Sequence, residues 1–117
     1  FTHHLHSQGI YHMDFSRGNI LCKKENGQYK FALIDNNRMR FGKFSYSLRL
    51  KNFQRLGLSD VQLVTVAREY SRLENADERK TIEELFQIVR KHEKKHVLKK
   101  RAKRFVSKFV QSLDASF

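Results

Sequence analysis

Proline is absent from this 117-residue chain, cysteine occurs once, and the five glycines are scattered. Without proline, helices are free to run on uninterrupted. The single Cys22 excludes an internal disulfide, so nothing in the sequence calls for an oxidising compartment. No apolar run approaches the roughly 18–20 residues of a membrane span. The opening Phe1-Thr2-His3-His4-Leu5-His6 also lacks the basic region and apolar block of a signal peptide. It starts at Phe rather than Met and reads as a piece of something longer. What the chain does contain is 39% hydrophobic residues, ten of them Phe, enough for a core rather than a disordered tail. The length fits one domain or part of one.

Acids are the scarce charge: 24 Lys+Arg face 12 Asp+Glu, a net +12. The excess is local. Between Arg90 and Lys108 lie ten Lys/Arg and one acid, Glu93. A stripe of this kind suits a phosphate-rich partner, whether an anionic membrane, a phosphorylated glycolipid or a nucleic acid.

Residues 1–8 read as a helix end closed by Gly9, with Ile10 as the apolar contact that follows. Residues 10–19 show no clean period and read as a loop. Two apolar runs, Ile20–Lys23 and Tyr29–Ile34, flank Glu25-Asn26-Gly27, and Asn-Gly in that setting predicts a β-hairpin. After Asp35 the pattern is helical, with Leu48, Phe53 and Leu56 near one face up to Gly57. Ser59 with Gln62 predicts a capping box for a helix carrying Val61, Val64 and Tyr70. Thr81 with Glu84 predicts a second cap, before Ile82, Leu85, Phe86 and Val89 at helical spacing. Leu98, Ala102, Phe105, Val106, Phe109, Val110 and Leu113 extend that spacing and suit packing on the same body. The fold class is therefore α+β, mostly helical, with one hairpin.

The chemistry concentrates in His12-Met13-Asp14-Phe15-Ser16-Arg17-Gly18-Asn19 and, beyond the hairpin, Leu33-Ile34-Asp35. On a helix, positions 14 and 19 would point roughly 140° apart; in a loop they can share a target. Phosphoryl transfer from a nucleotide needs a carboxylate to take the acceptor's proton and oxygen ligands for Mg²⁺. H-x-D-x-x-x-x-N, a hairpin, then a strand ending in Asp offers both, because the hairpin returns Asp35 toward Asn19.

These residues resemble the catalytic loop and metal-binding segment of the protein-kinase-like superfamily. Asp35 is followed by Asn36-Asn37-Arg38 rather than Phe-Gly, and Asp14 by Phe15-Ser16 rather than Leu-Lys, which argues against a protein kinase. Gly9 to Leu21, together with Leu33 to Phe41, is most similar to the bacterial lipopolysaccharide kinases, the Kdo and heptose kinases of the inner core. The resemblance implies Asp14 as catalytic base, His12 as its buttress, Asn19 and Asp35 as ligands of Mg²⁺ on ATP, and a kinase C-lobe fold. It implies a sugar or glycolipid acceptor and a cytoplasmic enzyme, peripheral on the inner membrane through residues 90–108. Arg38 and Arg40 are candidates to meet an anionic acceptor, or else form salt bridges within the lobe. Only eleven residues precede His12, and no glycine-rich loop or phosphate-pairing strand lysine is present. The chain thus reads as residues 1–117 of a C-lobe without its N-lobe, inactive and weak for ATP on its own. The alternatives are a catalytically inactive kinase-like lobe and a basic module for membranes or nucleic acid. Nucleic acid is the weaker partner, since the basic segment lacks interleaved stacking aromatics and any recognition motif.

Two patterns compete. His92-Glu93-Lys94-Lys95-His96 is a literal H-E-x-x-H, but both intervening residues are Lys, whose charge opposes a dication. It reads as a solvated basic helix face. His3, His4 and His6 read as the end of a helix rather than a metal site, because neighbouring positions face apart. Cys22 is expected to pack in the hairpin as a small hydrophobe.

Overall fold

A computed structural model describes residues 1–116. Helix α1 (Thr2–Ser7) leads into strand β1 (Ile10–His12), then the hairpin of β2 (Ile20–Glu25) and β3 (Gln28–Leu33). Strand β4 (Met39–Phe41) precedes three helices, α2 (Tyr46–Leu50), α3 (Asp60–Glu74) and α4 (Glu78–Ser116). Short 3-10 turns at Arg17–Asn19, Asn36–Arg38 and Lys51–Phe53 link them.

The hairpin forms where Asn-Gly predicts it. Asn26 and Gly27 both take positive φ, at 50° and 76°, and Ile20 pairs with Leu33 at its base. Gly9 closes α1 at φ 74°. A Cβ there would meet the Gly42 carbonyl oxygen at 2.8 Å, so the close approach itself requires glycine. Residues 10–19 are not wholly a loop, however. β1 pairs antiparallel with β4, with Tyr11 opposite Arg40. Three-residue strands are too short to show a period, so the pairing leaves no local trace.

The Ser59–Gln62 capping box is complete in both directions. The buried face of α3 is set by Leu63, Ala67 and Tyr70, whereas Val61 is exposed. These three join Leu50, Phe53, Leu85 and Val89 in the core. Thr81 does not cap a helix. Asp77 does, accepting from Lys80 N–H at 2.8 Å, and Thr81 lies inside α4 with its hydroxyl on the Asp77 carbonyl and the Tyr46 hydroxyl.

The second half of α4 departs from the expectation that its apolar positions pack on the body. Leu98, Phe105, Val106, Phe109, Val110 and Leu113 are all exposed, Phe105 at 72%. At 100° per residue their mean direction lies roughly a third of a turn from that of the core-facing Leu85 and Val89, with Leu98 and Phe105 nearly opposite. Helical spacing persists while the face rotates away. The last twenty residues run about 30 Å along the axis, drawing the molecule out to 62 Å against 31 Å in the other directions. Among the described residues, no helix is long and apolar enough to cross a membrane. Cys22 is exposed as well, because both faces of the hairpin stand open, with Leu21, Tyr29 and Phe31 also exposed.

Candidate active site

β1 delivers His12, and the segment from Met13 to Asn19 then folds back on itself. The Asp14 N–H donates to His12 Nδ1 at 3.0 Å, so Nδ1 is the acceptor and the ring proton sits on Nε2. That Nε2–H points at the carbonyls of Ile34 and Asp35, each 3.1 Å away. One buried imidazole therefore ties the backbone of Asp14 to that of Asp35, across more than twenty positions. The Ile34 N–H bonds the Asn19 carbonyl at 2.9 Å, which closes the base of the hairpin. Met13 N–H donates to the Arg38 carbonyl at 2.7 Å and fixes the other flank.

Asn19 turns its amide nitrogen to Asp14, donating to the main-chain carbonyl at 2.8 Å and to Oδ2 at 3.1 Å. Its Oδ1 has no donor among the described residues. Asp35 sits at φ 62°, a left-handed conformation that costs a non-glycine residue on the order of 1 kcal/mol. Such strain collects at functional positions when the surroundings hold it, and here His12 and the hairpin base do so. Arg38 Nε lies 4.0 Å from the Asp35 carboxylate, while Arg40 is exposed on β4. Asn19 and Asp35 thus present an amide oxygen and a carboxylate, hard oxygen donors of the kind Mg²⁺ takes.

Several residues that shape this site carry no motif. Arg55 places Nη1 2.8 Å from Asp14 Oδ1, a pair open to solvent at 50% and 35% exposure. Arg17 crosses to the carbonyls of Leu56 and Gly57, at 2.7 and 3.0 Å, and clamps the loop to the helical body. Beneath the loop runs a buried relay. Asn52 donates to the His12 carbonyl at 2.9 Å and accepts from His6 Nε2–H at 2.7 Å. His6 Nδ1 in turn accepts from the Tyr70 hydroxyl at 2.7 Å. Burial lowers the His6 pKa below its ordinary value, in keeping with this neutral tautomer. Arg49 donates to Tyr70 at 3.3 Å and to Glu74 at 2.7 Å, and His3 bonds the same carboxylate. That Arg49 bond holds Glu74 well below the carboxylate range, at about 2. The one sequence signal for the relay is a polar residue, Asn52, between the apolar Leu50 and Phe53.

A lobe of this kind, with H-x-D-x-x-x-x-N linked by one hairpin and one imidazole to a strand-end Asp, is a kinase-like C-lobe. The model of the lipopolysaccharide kinase (Kdo/WaaP) family matches residues 1–76, and the chain belongs to that family. Comparison with curated proteins and with solved structures gives no match.

Proposed function

We propose that this lobe works in an ATP-dependent phosphotransferase that acts on a sugar hydroxyl of the lipopolysaccharide inner core, a Kdo or heptose residue. The observation that carries the reading is His12, whose two ring nitrogens hold Asp14 and Asp35 to one another. Asp14 orients the acceptor hydroxyl and takes its proton as the oxygen attacks the γ-phosphorus and the bond to ADP breaks. Asn19 and Asp35 would hold Mg²⁺, which when bound neutralises phosphate charge. His12 acts as a positioning residue, and Arg38 and Arg40 are candidate contacts for an anionic acceptor. The remaining nucleotide contacts belong to an N-lobe outside residues 1–117; the exposed Met13, Leu21 and Ile34 support such a cover.

The enzyme works on the cytoplasmic side, peripheral on an anionic inner membrane. Supporting this, α4 sets its exposed apolar stripe beside Lys103, Arg104 and Lys108. That is the pattern of a helix lying in a lipid interface. Like charge along both borders of the stripe disfavours pairing with a second copy.

The test is Asp14→Ala in the full-length protein. Turnover with ATP and a lipopolysaccharide acceptor falls by about two to four orders of magnitude, and ATP–Mg²⁺ affinity stays nearly unchanged. Near-wild-type turnover would remove Asp14 as the base. A fully folded protein with no turnover to begin with would favour the inactive-lobe alternative.

A further inference from the structure

The core-facing side of α4 changes character along its length. Thr81, Leu85 and Val89 are buried on it. Positions 92, 95, 96 and 99 continue that side by helical spacing, and they are His92, Lys95, His96 and Lys99. At this level the helix passes the catalytic segment instead of α3, and a cleft of about 640 Å³ lies between the two. Ser16 and Arg55 form the facing wall, Arg55 being the guanidinium on the Asp14 carboxylate.

The cleft has positive charge and little to balance it. Neither Lys95 nor Lys99 has an ion pair or hydrogen bond among the described residues. Arg79 and Arg90 on α4 are matched, by Glu83 and Asp60; of the α4 lysines that have no such partner among the described residues, Lys95 and Lys99 line this cleft. Glu93, the acid at the cleft's edge, is engaged by Arg90 at 3.4 Å. His92 has its pKa lowered by burial and by the positive charge of Arg55 and its neighbours. A concave wall of unmatched cations focuses field and collects anions.

We infer that this cleft is an anion subsite of the acceptor, in which Lys95 and Lys99 hold a phosphate monoester or carboxylate on the sugar that carries the reacting hydroxyl. The inference rests on Asp14 as the base. Arg55 joins the two places: one of its five N–H donors is spent on Asp14 and the others remain free to turn to the anion. His92 and His96 line the same wall and add donors when an anion is present.

The experiment follows the imidazole signals of His92 and His96 by NMR in the full-length protein, during titration with glucose 6-phosphate, glucuronate or neutral glucose. Both imidazoles move saturably with at least one charged sugar, the stronger of the two naming phosphate or carboxylate as the preferred group, and do not move with glucose. Replacing both lysines, Lys95→Gln with Lys99→Gln, weakens that binding about tenfold, the effect of two exposed cations. An equal response to glucose, no response to either anion, or unchanged affinity in the double variant overturns the subsite. Activity separates this from the kinase reading. Binding through the lysines in a protein that transfers no phosphate keeps an anion site in this cleft and sinks the kinase reading. Turnover with an unaltered acceptor KM in the double variant sinks the subsite alone.

Discussion

Replacing Asn52 with Leu removes a side chain that connects the His12 backbone to the buried relay, while nearly conserving volume. Two hydrogen bonds disappear, to the His12 carbonyl at 2.9 Å and from His6 Nε2–H at 2.7 Å. Both orphaned groups stay buried, since His6 and His12 have almost no exposure. An unsatisfied buried donor or acceptor costs about 1–3 kcal/mol, so the pair predicts a loss of about 2–6 kcal/mol. Leucine leaves little cavity, which keeps the packing contribution small. In urea, with a slope of about 2 kcal/mol/M for a domain of this size, the midpoint falls by about 1–3 M at unchanged slope. A second readout is independent of stability. The Asn52 bond raises the His6 pKa against burial, so Asn52→Leu drives it lower still, as NMR titration of that ring measures. A stability loss under about 0.5 kcal/mol, with an unmoved His6 pKa, would show that the relay does not support the loop.

Gly9→Ala forces a Cβ to within 2.8 Å of the Gly42 carbonyl at φ 74°, and thermal unfolding should register a loss of about 1–3 kcal/mol. Glu74 is held at about 2 by Arg49, so its contribution is complete above about pH 4.5 and lost as pH falls toward 2. Discounted for its partial exposure, the effect is on the order of 1–2 kcal/mol, and Glu74→Gln should flatten the acid limb of the stability profile. Phe105→Ser with Phe109→Ser should release the protein from phosphatidylglycerol vesicles in a sedimentation assay without changing its unfolding midpoint, because both rings are already exposed. Retention on the vesicles would mean that the helix does not lie in the lipid.

Elements determined by adjacent residues were legible in the sequence. Asn26-Gly27 dictates a hairpin by backbone chemistry alone, and Ser59 with Gln62 satisfies donors three positions apart. The β1–β4 ladder was not legible, because it joins Ile10 to Phe41 through two strands of three residues each. Thr81 misled for a physical reason. Its hydroxyl has the chemistry of a cap, but Asp77 reaches the free N–H first and α4 begins four residues earlier than the pattern suggests. Leu98 to Leu113 misled for another reason. Periodicity reports that a stripe exists, and only the accumulated rotation along α4 decides whether it meets the core.

The candidate site divides along the same line. His12, Asp14, Asn19 and Asp35 stand out because the spacing of their chemistry is local on either side of a hairpin that can be read directly. The residues that hold them do not, since Asn52 and Arg55 reach them from 40 and 41 positions away, and Tyr70 acts through His6, 64 positions off. The hydrogen-bond sense makes this support directional. Arg49 donates to Tyr70, Tyr70 to His6, His6 to Asn52 and Asn52 to His12, each proton passed along the same line. Such a chain is self-consistent only while His6 is neutral, because a protonated ring has no acceptor for Tyr70. As pH falls below about 6.5 the unfolded chain takes up a proton that buried His6 resists, so stability falls, and protonation of the folded ring at lower pH breaks the relay at its centre. The ring that joins Asp14 to Asp35 rests on the far end of that relay, through its own main-chain carbonyl. A loop whose sequence reads as catalytic is thus held in place by a core whose sequence reads as ordinary packing.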